Sequence, residues 1–206
     1  GQIARLAELL AQAHRPLVIL GGSGWTSQAC ADLRRFAEAH ALPVACAFRR
    51  QDLYDNRLPN YVGDVGIAIN PRLAARVREA DLLLALGARL DEMTTSGYTL
   101  IESPLPTQPL VHVHADPAEL GRVFQPVLAI QATPPELAAA LVDLPAPAAP
   151  RWATATHAAR AEYEQWQARP PVYAGATPAL DLWEAVQILR RALPADTIVT
   201  NGAGNF

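Results

Sequence analysis

Arg15-Pro16-Leu17-Val18-Ile19-Leu20-Gly21-Gly22-Ser23-Gly24 is a short apolar run stopped abruptly by glycine. A run of this length is too short for a helix, and without polar alternation it reads as a β-strand buried on both faces, the condition of strands in a parallel sheet. The pattern recurs at Pro43-Val44-Ala45-Cys46-Ala47, Asp81-Leu82-Leu83-Leu84-Ala85-Leu86, Leu110-Val111-His112-Val113-His114 and Val127-Leu128-Ala129-Ile130. Helical periodicity fills the intervals: Gln2 to Leu10, about Ser27 to His40, and a helix opening at Asn70-Pro71, an N-cap residue with proline at the first helical position. Strands alternating with crossover helices predict an α/β fold, a doubly wound, Rossmann-like parallel sheet of about five to six strands flanked by helices. Phe48 to Ala68 is polar and predicts a long loop, functional or docked on a partner.

Further along, Asp116-Pro117-Ala118-Glu119 and Thr133-Pro134-Pro135-Glu136 have the spacing of capping boxes. Pro145, Pro147 and Pro150 among alanines make Asp143 to Arg151 a semi-rigid linker, and a helix is predicted from Trp152 to Gln167. Thr177-Pro178 predicts the cap of another helix through Leu193, which leads to a buried strand at Asp196 to Thr200 and a glycine-rich turn at Asn201 to Phe206. This tail carries too little apolar surface to form its own core, so it is expected to pack on the first domain or on absent partners. The domains read as 1–143, a nucleotide-binding-like sheet; 144–178, linker and helix; and 179–206, a helical segment with one extra strand. A chain that opens directly on an amphipathic helix and closes on half of a strand–turn–helix motif is expected to be a segment of a longer enzyme.

Half of the 206 residues are apolar and 18% are charged, enough to bury a large core. A net charge of −3 with scattered arginines leaves no electrostatic footprint for nucleic acid or an anionic membrane. All 17 basic residues are arginine, which rules out Schiff-base chemistry, a P-loop lysine and a lysine base within this segment. Cys30 and Cys46 lack CxxC spacing and read as small apolar residues; no signal peptide or spanning segment is visible, so a cytoplasmic location is the default.

Ligands of open α/β sheets bind beyond the C-terminal ends of the strands. Gly21-Gly22-Ser23-Gly24 stands there, as a nucleotide-binding turn or as a tight turn that simply needs glycine. Arg49 and Arg50, after the second strand, could meet a phosphate. Gly87-Ala88-Arg89-Leu90-Asp91-Glu92 offers amides, a guanidinium and carboxylates for binding, or a surface ion-pair loop. His112-x-His114 puts two imidazoles on one strand face, but no third ligand has convincing spacing, so no metal site is assigned and a packed core or crevice position is preferred. Trp152, Trp166 and Trp183 fall on helices and read as packing anchors. No nucleophile–base set is visible, and no catalytic residue is assigned.

The ordered motifs at 15–24, at Ala80-Asp81-Leu82-Leu83-Leu84-Ala85-Leu86-Gly87-Ala88-Arg89-Leu90-Asp91, and at Val111-His112-Val113-His114-Ala115-Asp116-Pro117-Ala118-Glu119-Leu120-Gly121 resemble the central domain of thiamine-diphosphate-dependent enzymes of the acetolactate synthase group. Asp196 to Phe206 is similar to the first strand and turn of that family's third, cofactor-binding domain, so the resemblance implies that 179–206 is the truncated start of that domain. The resemblance implies a parent of transferase or lyase type that joins or decarboxylates 2-oxo acids, with thiamine diphosphate and Mg2+ held between the first domain of one subunit and the third of another, in a dimer or tetramer. The activating glutamate and the Gly-Asp-Gly magnesium motif belong to those absent domains, so the segment alone is expected to be inactive.

By position, the family's FAD contacts carry over to Gly21, Gly22, Ser23, Gly63, Gly66, Gly87, Ala88, Arg89, Asp91 and Asp116, and the margin of the thiamine diphosphate site to Gly202, Gly204 and Asn205. His114, Ala132, Met93 and Gly202 depart from the family pattern, which leaves FAD, an adenine nucleotide or an empty crevice. An FAD- or nucleotide-binding regulatory or electron-transfer domain is the alternative. An NAD-dependent deacylase lacks its paired-CxxC zinc module here.

Overall fold

The computed structural model describes residues 1–168 and 180–200. The expected cap at Thr177-Pro178 and the terminal turn with Gly202, Gly204 and Asn205 lie outside them. The chain divides into two compact units between Trp166 and Gln167.

In the first unit, elements follow in the order α1 (Gln2–Gln12), β1 (Pro16–Leu20), α2 (Ser27–Ala39), β2 (Val44–Cys46), β3 (Tyr61–Asp64), α3 (Pro71–Glu79), β4 (Leu82–Leu86), β5 (Leu110–His114), β6 (Leu128–Gln131), α4 (Pro134–Val142) and α5 (Ala153–Trp166). The strands form one sheet in the order β3-β2-β1-β4-β5-β6, and every pairing is parallel. The chain winds outward from β1 through β2 to β3, then returns to lay β4 on the other side of β1. That reversal is the switch point at which such sheets open a crevice.

Strand pleat sorts the core into two faces. Val18, Leu20, Val44, Leu84, Leu86 and Val111 pack with Leu6 and Leu10 of α1, Leu33 and Phe36 of α2, and Leu137 and Leu141 of α4. Leu17, Ile19, Ala45, Leu83 and Ala85 pack with Leu73 and Val77 of α3 and Ala159 of α5. Helices thus cover both faces, which is why the central strands read as unbroken apolar runs. Side chains start the helices: Thr26 accepts from the Ala29 amide at 3.1 Å, Asn70 from Arg72 at 3.0 Å, and the Glu136 carboxylate accepts from the Thr133 amide at 2.9 Å.

The predicted loop at Phe48 to Ala68 instead contains β3. Its four residues include a glycine and end on aspartate, so no apolar run announces it. Tertiary contacts make the strand: Tyr61 is buried and meets the Tyr163 ring of α5 edge-on, with centroids 5.1 Å apart. Helix α5 is fastened beside it. The Trp152 indole donates to His40 O at 2.8 Å, Thr156 to Ala41 O at 2.8 Å, and Arg160 Nη1 to the carbonyls of Asn56 (2.8 Å), Leu58 (2.9 Å) and Tyr61 (3.2 Å). Arg76 grips Glu162 with two bonds of 2.6 and 2.9 Å, which holds that carboxylate below its usual range. Trp152 is a packing anchor, whereas Trp166 is half-exposed and is not.

Asp116-Pro117-Ala118-Glu119 is a single 3₁₀ turn and not an α-helical start. Asp116 accepts from the Ala118 amide at 2.9 Å, but Glu119 turns away to arginines and closes no capping box. Cys30 and Cys46 are free thiols, and burial pushes that of Cys46 up to about 12, so it stays protonated and inert.

The second unit contains α6 (Leu182–Ala192), begun by Asp181, which accepts from the Glu184 amide at 3.1 Å. Asp196 to Thr200 is not the predicted buried strand; Ile198 and Val199 are 88% and 70% exposed and pair with no neighbour among the described residues. An isolated extended segment leaves its amides and carbonyls without a ladder, and apolar sequence cannot supply one.

Two features of the sheet are open to measurement. The turns after β1 and β4 cross so closely that a Cβ on Gly22, at φ +77°, would strike the Gly87 carbonyl oxygen, while Gly24, at φ +83°, has nothing nearer than Pro134 at 3.7 Å. Gly22→Ala is expected to lower the unfolding free energy by about 3 kcal/mol and Gly24→Ala by about 1 kcal/mol in urea titrations, since the first adds a backbone clash to the shared left-handed strain. On β5, His112 is buried with Nε2 3.0 Å from Ala88 O, and burial holds its pKa below the ordinary value. The unfolded chain therefore takes up the proton first as pH falls, so stability should be full above about pH 6.5 and decline below it. His112→Gln, which keeps a donor but does not titrate, should flatten that part of the stability–pH curve.

Candidate functional site

The strand ladder continues into the turns at the C-terminal ends of the sheet. Gly21 N–H donates to Leu86 O at 3.1 Å, Gly87 N–H to Val113 O at 2.8 Å, and Ala47 N–H to Leu20 O at 2.8 Å. The Trp25 indole adds a bond to Gly21 O at 2.8 Å. Beyond this fixed floor the loops diverge and leave an open cleft of about 400 Å³, within the range of small-molecule sites. Its wall is made by Gly22 and Ser23 after β1, Ala47, Phe48 and Arg50 after β2, Arg89, Asp91 and Thr94 after β4, His114 at the end of β5, and Asp116 and Glu119 after it.

Five of the ten residues expected for a nucleotide therefore meet in one place: Gly22, Ser23, Arg89, Asp91 and Asp116. The other five do not line it. Gly21, Gly87 and Ala88 form the buried floor, Gly63 on β3 faces Leu73 and Tyr163, and Gly66 lets Phe48 and the Met93 carbonyl approach. Phe48, Thr94 and Glu119 line the cleft without having been expected there. Phe48 and Thr94 lie in irregular loops with no motif, while the spacing of Asp116 and Glu119 fits a cap equally well.

Two guanidiniums and three carboxylates line the cleft, and their pairings are unequal. Glu119, with a side chain only 11% exposed, accepts from Arg89 at 2.6 Å and from Arg122 at 2.9 Å. The Arg89 guanidinium first, and Arg122 with it, hold Glu119 below its usual range against the opposing effect of burial, so it remains charged and its one negative charge is shared by two guanidiniums. Arg50 is held differently. It reaches Asp52 at 3.2 Å, but that carboxylate is 67% exposed, and Arg50 Nε is buried without an acceptor among the described residues. A solvated pair returns about 0–1 kcal/mol, and an unsatisfied buried donor costs about 1–3 kcal/mol, so the pose is poorly compensated.

Asp91 and Asp116 each use one carboxylate oxygen on a local amide, Thr94 N–H at 2.9 Å and Ala118 N–H at 2.9 Å, and keep acceptor capacity. His114 Nδ1 lies 3.1 Å from the Asp116 amide nitrogen and 3.2 Å from the Asp116 carbonyl oxygen, so the ring is seated on the start of that turn. His112 turns its Nε2 to Ala88 O and thereby braces the loop that carries Arg89. The two histidine rings are 6.2 Å apart, and among the described residues no three His, Cys, Asp or Glu side chains are placed to hold a metal ion. The cleft thus presents hydrogen-bond acceptors suited to sugar hydroxyls and guanidiniums suited to an anion.

Comparison with known proteins identifies the family. Residues 3–141 match the family described as thiamine pyrophosphate enzyme, central domain. The chain is 29% identical over 130 residues to the acetolactate synthase isozyme 2 large subunit of Escherichia coli K12, covering 63% of this chain and 23% of that protein. It is 33% identical over 120 residues to the acetolactate synthase large subunit of Parasynechococcus marenigrum (58% and 19%) and 32% identical over 129 residues to that of Cyanidium caldarium (63% and 22%). It spans about a fifth of the length of these relatives. The switch-point sheet, its strand-end cleft and the extent of the match place the chain in the thiamine pyrophosphate enzyme family, as a central domain.

Proposed function

We propose that this chain is the central domain of a longer enzyme, similar to acetolactate synthase, that joins or decarboxylates 2-oxo acids. The observation that carries the reading is the family match over 3–141, together with relatives that are acetolactate synthases. The parent is then a transferase or lyase that uses thiamine diphosphate and Mg2+, held by a first and a third domain in a homo-oligomer of dimeric or tetrameric form. Thiamine diphosphate, when bound, supplies the electron sink for cleaving or forming a bond beside the 2-oxo carbon. Within the proposed parent, residues 1–166 act as scaffold and the segment alone is inactive; Gly202, Gly204 and Asn205 are proposed for the margin of the cofactor site. Among the described residues no helix is long and apolar enough to cross a membrane, and a cytoplasmic setting is proposed.

For the cleft, the proposed ligand is an adenine nucleotide, free or as the ADP half of FAD. Asp91 and Asp116 have spare acceptor oxygens for ribose hydroxyls, the Phe48 side chain offers an apolar surface, and the orphaned Arg50 Nε calls for an acceptor. These residues fit the group. No observation favours an independent electron-transfer domain.

Two measurements test the reading. Pyruvate consumption by the full-length protein should require added thiamine diphosphate and Mg2+ and should be absent from the 1–206 segment; consumption without the cofactor refutes the parent's proposed chemistry. In titration calorimetry with thiamine diphosphate present, ADP should bind the full-length protein saturably and FAD should compete for the same site. If neither binds, the cleft has another use.

A further inference from the structure

We infer that Arg50, in the turn after β2, is the residue that binds the phosphate groups of the cleft ligand. The inference rests on the nucleotide reading above and adds to it the recognition element. Two guanidiniums face the cleft, and their partners decide between them. Arg89 is held at 2.6 Å by the Glu119 carboxylate, which also takes Arg122, so one of its N–H groups is already committed to a short charge-assisted bond. Among the described residues Arg50 has the well-hydrated Asp52 at 3.2 Å as its ion-pair partner and keeps one buried N–H without an acceptor.

An oxygen-rich anion would therefore gain more from Arg50 than Arg50 gives up. Swinging its fork into the cleft costs one solvent-screened pair and relieves an unsatisfied donor, whereas turning the Arg89 fork fully to an anion would break a short, charge-assisted bond and relieve no unsatisfied donor. The backbone favours the swing. Arg50 N–H closes a turn on Ala47 O at 3.0 Å, so Cα stays at the cleft wall while the side chain moves. Planar guanidinium donors also match two phosphate oxygens at once.

The test compares ADP, adenosine and inorganic pyrophosphate as probes of the full-length protein, with thiamine diphosphate saturating in every arm so that its own diphosphate site is filled. Arg50→Gln should weaken ADP and pyrophosphate by about ten-fold or more while leaving adenosine unchanged, and Arg50→Lys should fall between, since a charged hydrogen bond is lost and then partly restored. Melting temperatures within a few degrees of the parent exclude misfolding as the cause. Wild-type protein that binds none of the probes overturns the nucleotide reading itself; wild-type protein that binds ADP, with Arg50→Gln binding it equally well, overturns the assignment of Arg50 alone. An equal loss of adenosine and ADP would mean that Arg50 shapes the cleft and does not hold phosphate.

Discussion

The close crossing of two backbones at the switch point is the constraint from which the rest of the molecule follows. Gly21 and Gly22 leave β1 against Gly87 leaving β4, near enough that neither turn tolerates a Cβ in its present position. Because the crossing occurs where the winding reverses, the loops beyond it must part in opposite directions, and the cleft is the space they leave. Glycine there serves packing first. A ligand benefits from the exposed backbone, but the chain would need these residues even if nothing bound.

Charge completes what the backbone begins. The side chains that reach the cleft come from the ends of four different strands, so its electrostatics depend on how firmly each loop is held. His112 braces the loop after β4, and Glu119 gathers two arginines that would otherwise repel. What remains is a site with one committed guanidinium and one loosely held, beside acceptors with spare lone pairs.

Much of this was legible in sequence, and the physical reasons are specific. Strands buried on both faces announce themselves as apolar runs, so β1, β4 and β5 were readable almost to the residue. By contrast, β3 depends on Tyr163 and Arg160, about a hundred positions away, and its own four residues carry no periodicity. Asp196 to Thr200 shows the reverse: apolar β-branched sequence describes what a strand would bury, whereas pairing depends on a neighbour that is not among the described residues. At the site, motif position located Arg89, Asp91 and Asp116, but which guanidinium is committed depends on carboxylate burial, a property that no local pattern encodes.

The bonds that fasten α5 and α1 have a consequence for assembly. The outermost strands of any open sheet present unpaired backbone groups on which another chain can add a strand. Here Arg160 occupies the Tyr61 carbonyl on β3, and Gln2 donates to the Ala129 carbonyl on β6 at 2.7 Å. Each margin of the sheet carries its own stopper, made of side chains from a helix that also covers core. An incoming strand would have to displace these side chains before it could pair at Tyr61 or Ala129.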